Sequence, residues 1–268
     1  MASVFITGSA DGLGRLAAQR LVKLGHDVVL HGRDRHRAEE AMHAVPGART
    51  ALVGDLASIE ETRALAEQAN SAGLFQTVIH NAGVQSIHNA GVYRPNAPPL
   101  ETVDGLENTF AVNALAPYLL TALIASPQRL VFLSSELHQN GQPNLSDLQS
   151  RRRRSGFQAY SNSKLFVVAL AFGVARRWPH RLSNAVNPGW VPTRMGGPQA
   201  PDDLEQGVET QVWLAVSAER DALVSGKYFY HKQIRSAHPA ASDVNFQNQL
   251  LDACARLTGV ELPSAVAR

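Results

Sequence analysis

The sequence predicts an α/β fold in which a parallel sheet is covered by helices on both faces. Three observations predict it. Short apolar runs alternate with helical patterns from the first residues onward, a glycine-rich turn joins the first run to the first helix, and no interdomain linker interrupts the alternation.

Val4, Phe5 and Ile6 read as a buried strand within residues 3–7, followed by a glycine turn and a helix over 13–24 that Gly25 ends. Val28, Val29 and Leu30 form the second strand, and 35–43 the second helix, closed by Pro46 and Gly47. Residues 50–53 are the third strand. Ser58 then caps a helix to about residue 71, with Glu61 at capping-box spacing. Residues 77–80 are the fourth strand; a polar, proline-rich loop (85–99) leads to a long helix over 103–125, and 129–134 is the fifth strand. Residues 136–158, rich in Asn, Gln, Ser and Arg, read as an insertion. A helix over 159–178, a strand near 182–186, a helix over 202–217 and a final short strand at 226–230 complete the pattern. Repeated β-α-β units argue a doubly wound sheet and one domain spanning 1–268.

Composition narrows the function classes. The chain has 268 residues, 44% hydrophobic and 18% charged, enough for one sizeable core. A net charge of +2 gives no bulk attraction to nucleic acid or membrane. Cys254 is the one cysteine, and the histidines lack zinc-site spacing, so no disulfide and no metal are expected. No apolar run reaches the ~20 residues of a membrane span, and the first strand leaves no room for a secretory signal. The expectation is a cytoplasmic, soluble protein.

The segment Thr7, Gly8, Ser9, Ala10, Asp11, Gly12, Leu13, Gly14 lies between the first strand and helix. Glycines there allow a sharp turn and close approach to a pyrophosphate, and the helix N-terminus favours an anion. Tyr160 and Lys164 stand one helical turn apart, so a phenol and an ammonium can address one site. A neighbouring cation can lower the phenol's pKa from ~10 toward neutrality and make it a proton donor and acceptor.

In this order, these motifs resemble the short-chain dehydrogenase/reductase superfamily, over about residues 3–230: the TGxxxGxG loop, then Asn81-Ala82-Gly83 after the fourth strand, then YxxxK. The resemblance implies a Rossmann-like sheet of about seven strands in the order 3-2-1-4-5-6-7, and a nicotinamide cofactor used to interconvert a carbonyl and an alcohol. It assigns the cofactor to the glycine loop, to Asp55 and Leu56 near the adenine, to Asn81, Ala82 and Gly83, and to Pro188, Gly189, Val191 and Thr193 after the sixth strand. His80 replaces the usual first Asn of the NAG element. Tyr160 is the implied acid/base. Lys164 binds the nicotinamide ribose, Ser135 orients the substrate with Ser134 as the alternative, and Asn113 supports a water-linked proton path.

An acid at the end of the second strand selects NAD(H), whereas a basic residue accommodates the 2′-phosphate of NADP(H). Gly32 fills the acid's place and Arg33 follows, which favours NADP(H) through a planar fork of donors, with NAD(H) the alternative because Asp34 is near. His31 and Arg35 are candidate helpers.

The interval from Ser135 to Tyr160 is longer than is usual in single-domain members and resembles that of retinol-dehydrogenase-like members, as do Gly32-Arg33-Asp34 and the stretch 226–230. Residues 136–158 could cover the pocket, with His138, Trp190 and Met195 lining it, and the arginines at 151–154 could meet an acidic group or solvent. The substrate stays open.

Three rival functions remain. A hydrolase using Ser135, His138 and Asp147 lacks a GxSxG elbow. A noncatalytic cofactor sensor would have no need of the Tyr/Lys pair. A sugar-nucleotide epimerase would need a larger C-terminal domain. Apolar outer positions on the helices around Asn113 and Tyr160 could pair subunits. A hexapeptide at 79–84 recurs at 87–92, too short for a repeat architecture.

Overall fold

The structure is a computed structural model that describes residues 1–84, 100–125, 127–148 and 156–264. Strands β1 (Ser3–Ile6), β2 (Asp27–Gly32), β3 (Thr50–Val53), β4 (Thr77–His80), β5 (Arg129–Leu133), β6 (Leu182–Asn187), β7 (Tyr228–Tyr230) and β8 (Gln233–Arg235) form one sheet. The helices are α1 (Gly12–Lys23), α2 (Arg35–Ala44), α3 (Ile59–Ala72), α4 (Asn108–Phe110), α5 (Ala116–Leu123), α6 (Gly156–Arg177), α7 (Leu204–Val216), α8 (Pro239–Ser242) and α9 (Val244–Thr258).

The sheet order is 3-2-1-4-5-6-7-8. Neighbours pair in parallel as far as β7, with Phe5 opposite Val29 on one side and Val78 on the other. The expected seven-strand order is therefore present, with one correction: β8 adds an antiparallel edge strand, Phe229 opposite Ile234. The turn between β7 and β8 holds His231 and Lys232 at φ 48° and 60°. Such turns usually carry Asn or Gly, and neither residue stands here to signal one. Here Thr210 Oγ1 accepts the Lys232 N–H at 3.0 Å and helps hold the turn.

Strand alternation sorts the apolar side chains into two cores. Val4 and Ile6 join Leu21, Leu30, Val186 and Val212 on the face of α1, α2 and α7. Phe5 joins Phe110, Leu115, Phe132, Leu165 and Leu250 on the face of α3, α5, α6 and α9. The expected cover on both faces is present.

Helix ends follow local chemistry. Asp34 accepts the Arg37 N–H and starts α2, and Ser58 accepts the Glu61 N–H and starts α3. The capping box is not closed, however. Glu61 Oε2 takes the Asp55 N–H at 2.7 Å, across the turn that precedes the cap.

The long helix expected over 103–125 begins at Asn108 instead. Buried Glu107 caps it by accepting the N–H groups of Thr109 and Phe110, and Glu101 bridges to Glu107 just upstream. Residues Ala111–Leu115 form a wider π-helical turn, with Asn113 at its middle. The helix expected over 159–178 starts earlier, at Gly156.

A second unforeseen element is α9, capped by Asp243 and ended by Gly259 at φ 67°. It packs on α6, α8 packs there too, and Tyr118 and Trp178 donate to the carbonyls of Val260 and Pro263. On α6, Phe166 meets Phe246 of this segment and Gly173 faces Leu251 and Gln247. The loop 85–99, the second hexapeptide and the arginines at 151–154 lie outside the described residues.

Candidate active site

The glycine loop is held by side chains that turn inward. Thr7 Oγ1 accepts the N–H groups of Asn81 and Ala82, both at 3.1 Å. Asn81 Nδ2 returns bonds to Thr7 O at 2.9 Å and Gly8 O at 3.1 Å. Ser9 Oγ is buried between Ile6 O and the His31 N–H. Among the predicted contacts, Thr7, Ser9 and Asn81 thus use their side chains to fix the loop, and the backbone is what faces outward.

Two glycines are sterically required. A Cβ on Gly14 would stand 2.3 Å from Asn81 Nδ2 and 2.4 Å from Gly8 O. Gly8 has φ 64°, and its Cβ would meet Ala82 Cα at 2.8 Å. Asp11 caps α1 by accepting the Gly12 N–H. Gly12 faces Thr193, whose methyl would lie 3.4 Å from a Cβ there. The loop therefore brings bare backbone and a helix N-terminus to one place, a cradle that fits a pyrophosphate.

In the turn after β3, Asp55 Oδ1 accepts the Ala57 N–H at 2.9 Å, so one oxygen shapes the entry to α3. Leu56 is buried in the core. Gly32 is enclosed: a Cβ would fall 2.4 Å from Ala38 N and 2.7 Å from Arg37 C. Arg33 extends outward beside Asp34 at 3.4 Å, its side chain 72% exposed. Arg37, which the sequence did not single out, lies 3.7 Å from Asp11 and 2.5 Å from Glu40, joining α2 to the glycine loop. Its position three residues past the Asp34 cap was the available signal.

At the other end, Tyr160 and Lys164 sit on one face of α6, both nearly buried. Lys164 Nζ is 5.5 Å from the Tyr160 ring centre and donates to Leu133 O at 2.9 Å. Burial pushes the Tyr160 phenol up to about 12, while a hydrogen bond with the Ser135 side chain pulls it down. Burial also draws the Lys164 ammonium down to about 8. Ser134, the alternative to Ser135, is buried with its hydroxyl bonded to Lys164 O at 3.0 Å.

Asn113 spans the site. Its Oδ1 accepts the Val84 N–H at 2.8 Å, and its Nδ2 donates to Val84 O and to Ser163 Oγ. Ser163 in turn donates to Tyr160 O at 2.7 Å. Gly83 lies between the two: a Cβ there would be 3.4 Å from both Asn113 Oδ1 and Lys164 Nζ.

After β6, Gly189 takes φ 84°, and a Cβ would meet Asp202 Oδ2 at 2.6 Å. That carboxylate accepts the Trp190 N–H. Val191 is buried, and Gly207 packs against it and against Pro188 O. Trp190 and Met195 stand exposed on this loop.

Two histidines differ from their expected places, and a third lies in the core. His138 does not line a pocket. It is buried against Tyr228, bonded to Ser135 O at 2.8 Å, and accepts the His238 N–H at 3.1 Å. His80 is a core residue stacked on Phe132 and bonded to Thr121 Oγ1, and burial drops its pKa to about 3. His31 is buried below the glycine loop, beyond the reach of an external phosphate.

The short chain dehydrogenase family model matches residues 2–204. The chain is 40% identical over 269 residues to the short-chain dehydrogenase chyC of Penicillium rubens, covering 98% of this chain and all of that one. It is 31% identical over 300 residues to human retinol dehydrogenase 14, covering 96% and 86%. A crystal structure of a Mycobacterium paratuberculosis protein superposes with TM-score 0.82 at 26% identity, covering 98% and 95%. The chain belongs to the short-chain dehydrogenase family, whose fold binds nicotinamide dinucleotides, and it is an oxidoreductase with retinol-dehydrogenase-like features.

Proposed function

We propose that this enzyme interconverts a carbonyl and an alcohol with NADP(H) as its preferred cofactor, and that Tyr160 moves the proton. The observation that carries the reading is the buried Tyr160–Lys164 pair beside Ser135, at the end of β5 and on the same edge of the sheet as the glycine loop. When bound, the cofactor gives or takes the hydride and, oxidised, brings a positive ring charge.

The residues divide the remaining work. The Ser135 hydroxyl, bonded to the phenol, orients the substrate oxygen and stabilises charge developing on it. Tyr160 donates its proton to that oxygen in reduction and removes it in oxidation. A phenol at about 12 releases a proton poorly near neutrality. Each unit of lowering corresponds to about 1.4 kcal/mol, so neighbouring positive charge has several kcal/mol to supply. Lys164 is the protein's own source. Asn113 holds the Val84 turn against Ser163 and so fixes the helix that carries Tyr160.

The NADP(H) preference rests on crowding and charge. Gly32 has no room for the acidic side chain that would bind a 2′-hydroxyl. Arg33 projects from the next position, its guanidinium suited to a phosphate. The contacts of Tyr118 and Trp178 with the last described residues support one functional unit over the whole chain. Among those residues no helix is long and apolar enough to cross a membrane. The lone, buried Cys254 is consistent with a cytoplasmic enzyme on small-molecule substrates.

The test is turnover of NADPH against a panel of aldehydes, ketones and quinones, and of NADP+ against alcohols. Tyr160→Phe should lower kcat by about 100-fold to 10,000-fold while leaving the cofactor Kd within about twofold. Equal turnover by that variant would sink the mechanism.

A further inference from the structure

The imidazole of His31 is 2% exposed and lies beneath the first glycine of the loop. Its Nδ1 stands 2.9 Å from the Gly8 N, and its Nε2 2.8 Å from Gly54 O. A backbone N–H can only donate, so Nδ1 must be the bare nitrogen and Nε2 must carry the proton. One neutral tautomer satisfies both contacts. The backbone repeats the tie: the His31 N–H donates to Ser9 Oγ at 2.8 Å, and the Ser9 N–H donates to His31 O at 3.2 Å.

These bonds join two separate turns through the strand between them. Gly8 opens the pyrophosphate cradle, Gly54 immediately precedes Asp55 in the turn after β3, and His31 belongs to the strand between them. On its far side Gly8 is pressed against Ala82, with 2.8 Å left for a Cβ. The first glycine is therefore gripped between a backbone it cannot move past and a ring that accepts its only N–H.

We propose that His31 is a positioning residue for the cofactor: its Nδ1 fixes the first glycine of the pyrophosphate cradle, and its bond to Gly54 O holds the ring in the tautomer that can accept. It rests on the nicotinamide-dinucleotide reading of the site. It assigns His31 no contact with the 2′-phosphate, because both ring nitrogens are already committed and the ring is enclosed. Binding follows because a loop held in place loses less freedom when the ligand arrives.

The two ring contacts can be separated by length. An asparagine amide reaches about as far as Nδ1 and can accept from Gly8; a glutamine amide reaches about as far as Nε2 and can donate to Gly54 O. NADPH and NADH binding would be measured by fluorescence for the wild type and for His31→Asn, His31→Gln and His31→Leu, together with Tm. Amide hydrogen exchange at Gly8 and the 15N shifts of the His31 ring would be read in the same samples. We expect an acceptor-type Nδ1 signal and a protected Gly8 amide in the wild type. His31→Asn should keep that protection and a Kd within about threefold. His31→Gln and His31→Leu should lose both, with the cofactor KM rising about tenfold or more and kcat changing less. Equal weakening by Asn and Gln, or a fall in Tm with Kd unchanged in every variant, would overturn the proposal. Wild-type protein that binds neither NADPH nor NADH would sink the cofactor reading itself, and this inference with it.

Discussion

The two ends of the site are built on opposite principles. The glycine-loop end is assembled from backbone, and the side chains beneath it (Thr7, Ser9, His31 and Asn81) are neutral, buried and bonded within the protein. The catalytic end is assembled from ionisable side chains whose burial opposes their charged forms, Tyr160 pushed up to about 12 and Lys164 down to about 8. The first end is at rest without ligand. The second holds groups whose charged forms are costly until a compensating charge arrives. Preorganisation here means geometry at one end and electrostatics at the other.

The largest effect that would sharpen this contrast is a pH dependence of stability that traces to the catalytic end. The Lys164 pKa falls from its usual 10.5 to about 8 on folding. Between those values the unfolded chain holds a proton that the native state has released, so stability rises with pH across that window. The full rise is roughly 3 kcal/mol. Tyr160 acts in the reverse sense at higher pH. Its native pKa of about 12 exceeds the usual 10.0, so above pH 10 the native state keeps a proton the unfolded chain loses, and stability falls. Thermal unfolding of cofactor-free protein from pH 7 to 10 should show a rise that Lys164→Met flattens. Parallel profiles for the two proteins would remove the electrostatic half of the contrast.

A smaller effect separates two glycines, one at each end. Gly14→Ala forces a methyl to 2.3 Å from Asn81 Nδ2, so Asn81 must give up its bonds to Thr7 O and Gly8 O. Overpacking of this kind costs about 1–3 kcal/mol, with a Tm loss of about 2–4 °C for each kcal/mol, and the cofactor Kd should rise. Gly83→Ala meets Asn113 Oδ1 and Lys164 Nζ at 3.4 Å, a distance that small shifts relieve. Its Tm should change by less, and its loss should appear in kcat. If Gly83→Ala proved the less stable of the two, the geometric end would not be the more tightly packed one.

The same contrast explains what the sequence made legible. Glycines in a strand–loop–helix context carry their own steric signature, and a Tyr and Lys at i and i+4 carry theirs, so Gly8, Gly14, Tyr160 and Lys164 could be picked out directly. The doubly wound parallel sheet followed from the β-α-β alternation, and its strand order from the family resemblance. What a one-dimensional pattern cannot show is where a polar side chain points. His31 and His138 looked available for ligands because histidine is chemically versatile, yet each is buried among fixed partners. The start of the long helix was misplaced because Glu107 is not among the preferred capping residues, although its carboxylate takes two N–H groups here. The α9 helix was readable from Asp243, the apolar spacing of Phe246, Leu250 and Cys254, and Gly259, but no function-bearing motif drew attention to it. The turn at His231 and Lys232 had no such signal at all.

The smallest effect concerns charge at the geometric end, where Arg33 and Arg37 have different surroundings. Arg33 is largely exposed, with Asp34 at 3.4 Å, so it can turn to a phosphate at little cost. Arg37 is mostly covered and balances Asp11 and Glu40. Removing it would leave the Asp11 carboxylate uncompensated at the mouth of the proposed pyrophosphate cradle, which disfavours either dinucleotide. Arg33→Ala should therefore lower the ratio of NADPH to NADH affinity by about tenfold, or 1.4 kcal/mol, leaving NADH binding nearly unchanged. Arg37→Ala should weaken both cofactors, the ratio shifting less, and Asp11→Asn in that background should restore part of the loss. Both effects should shrink with added salt, since exposed charges are screened. A wild type preferring NADH tenfold would overturn the role given to Arg33. A ratio governed by Arg37 instead would move the 2′-phosphate inward, against the α2 N-terminus that already encloses Gly32.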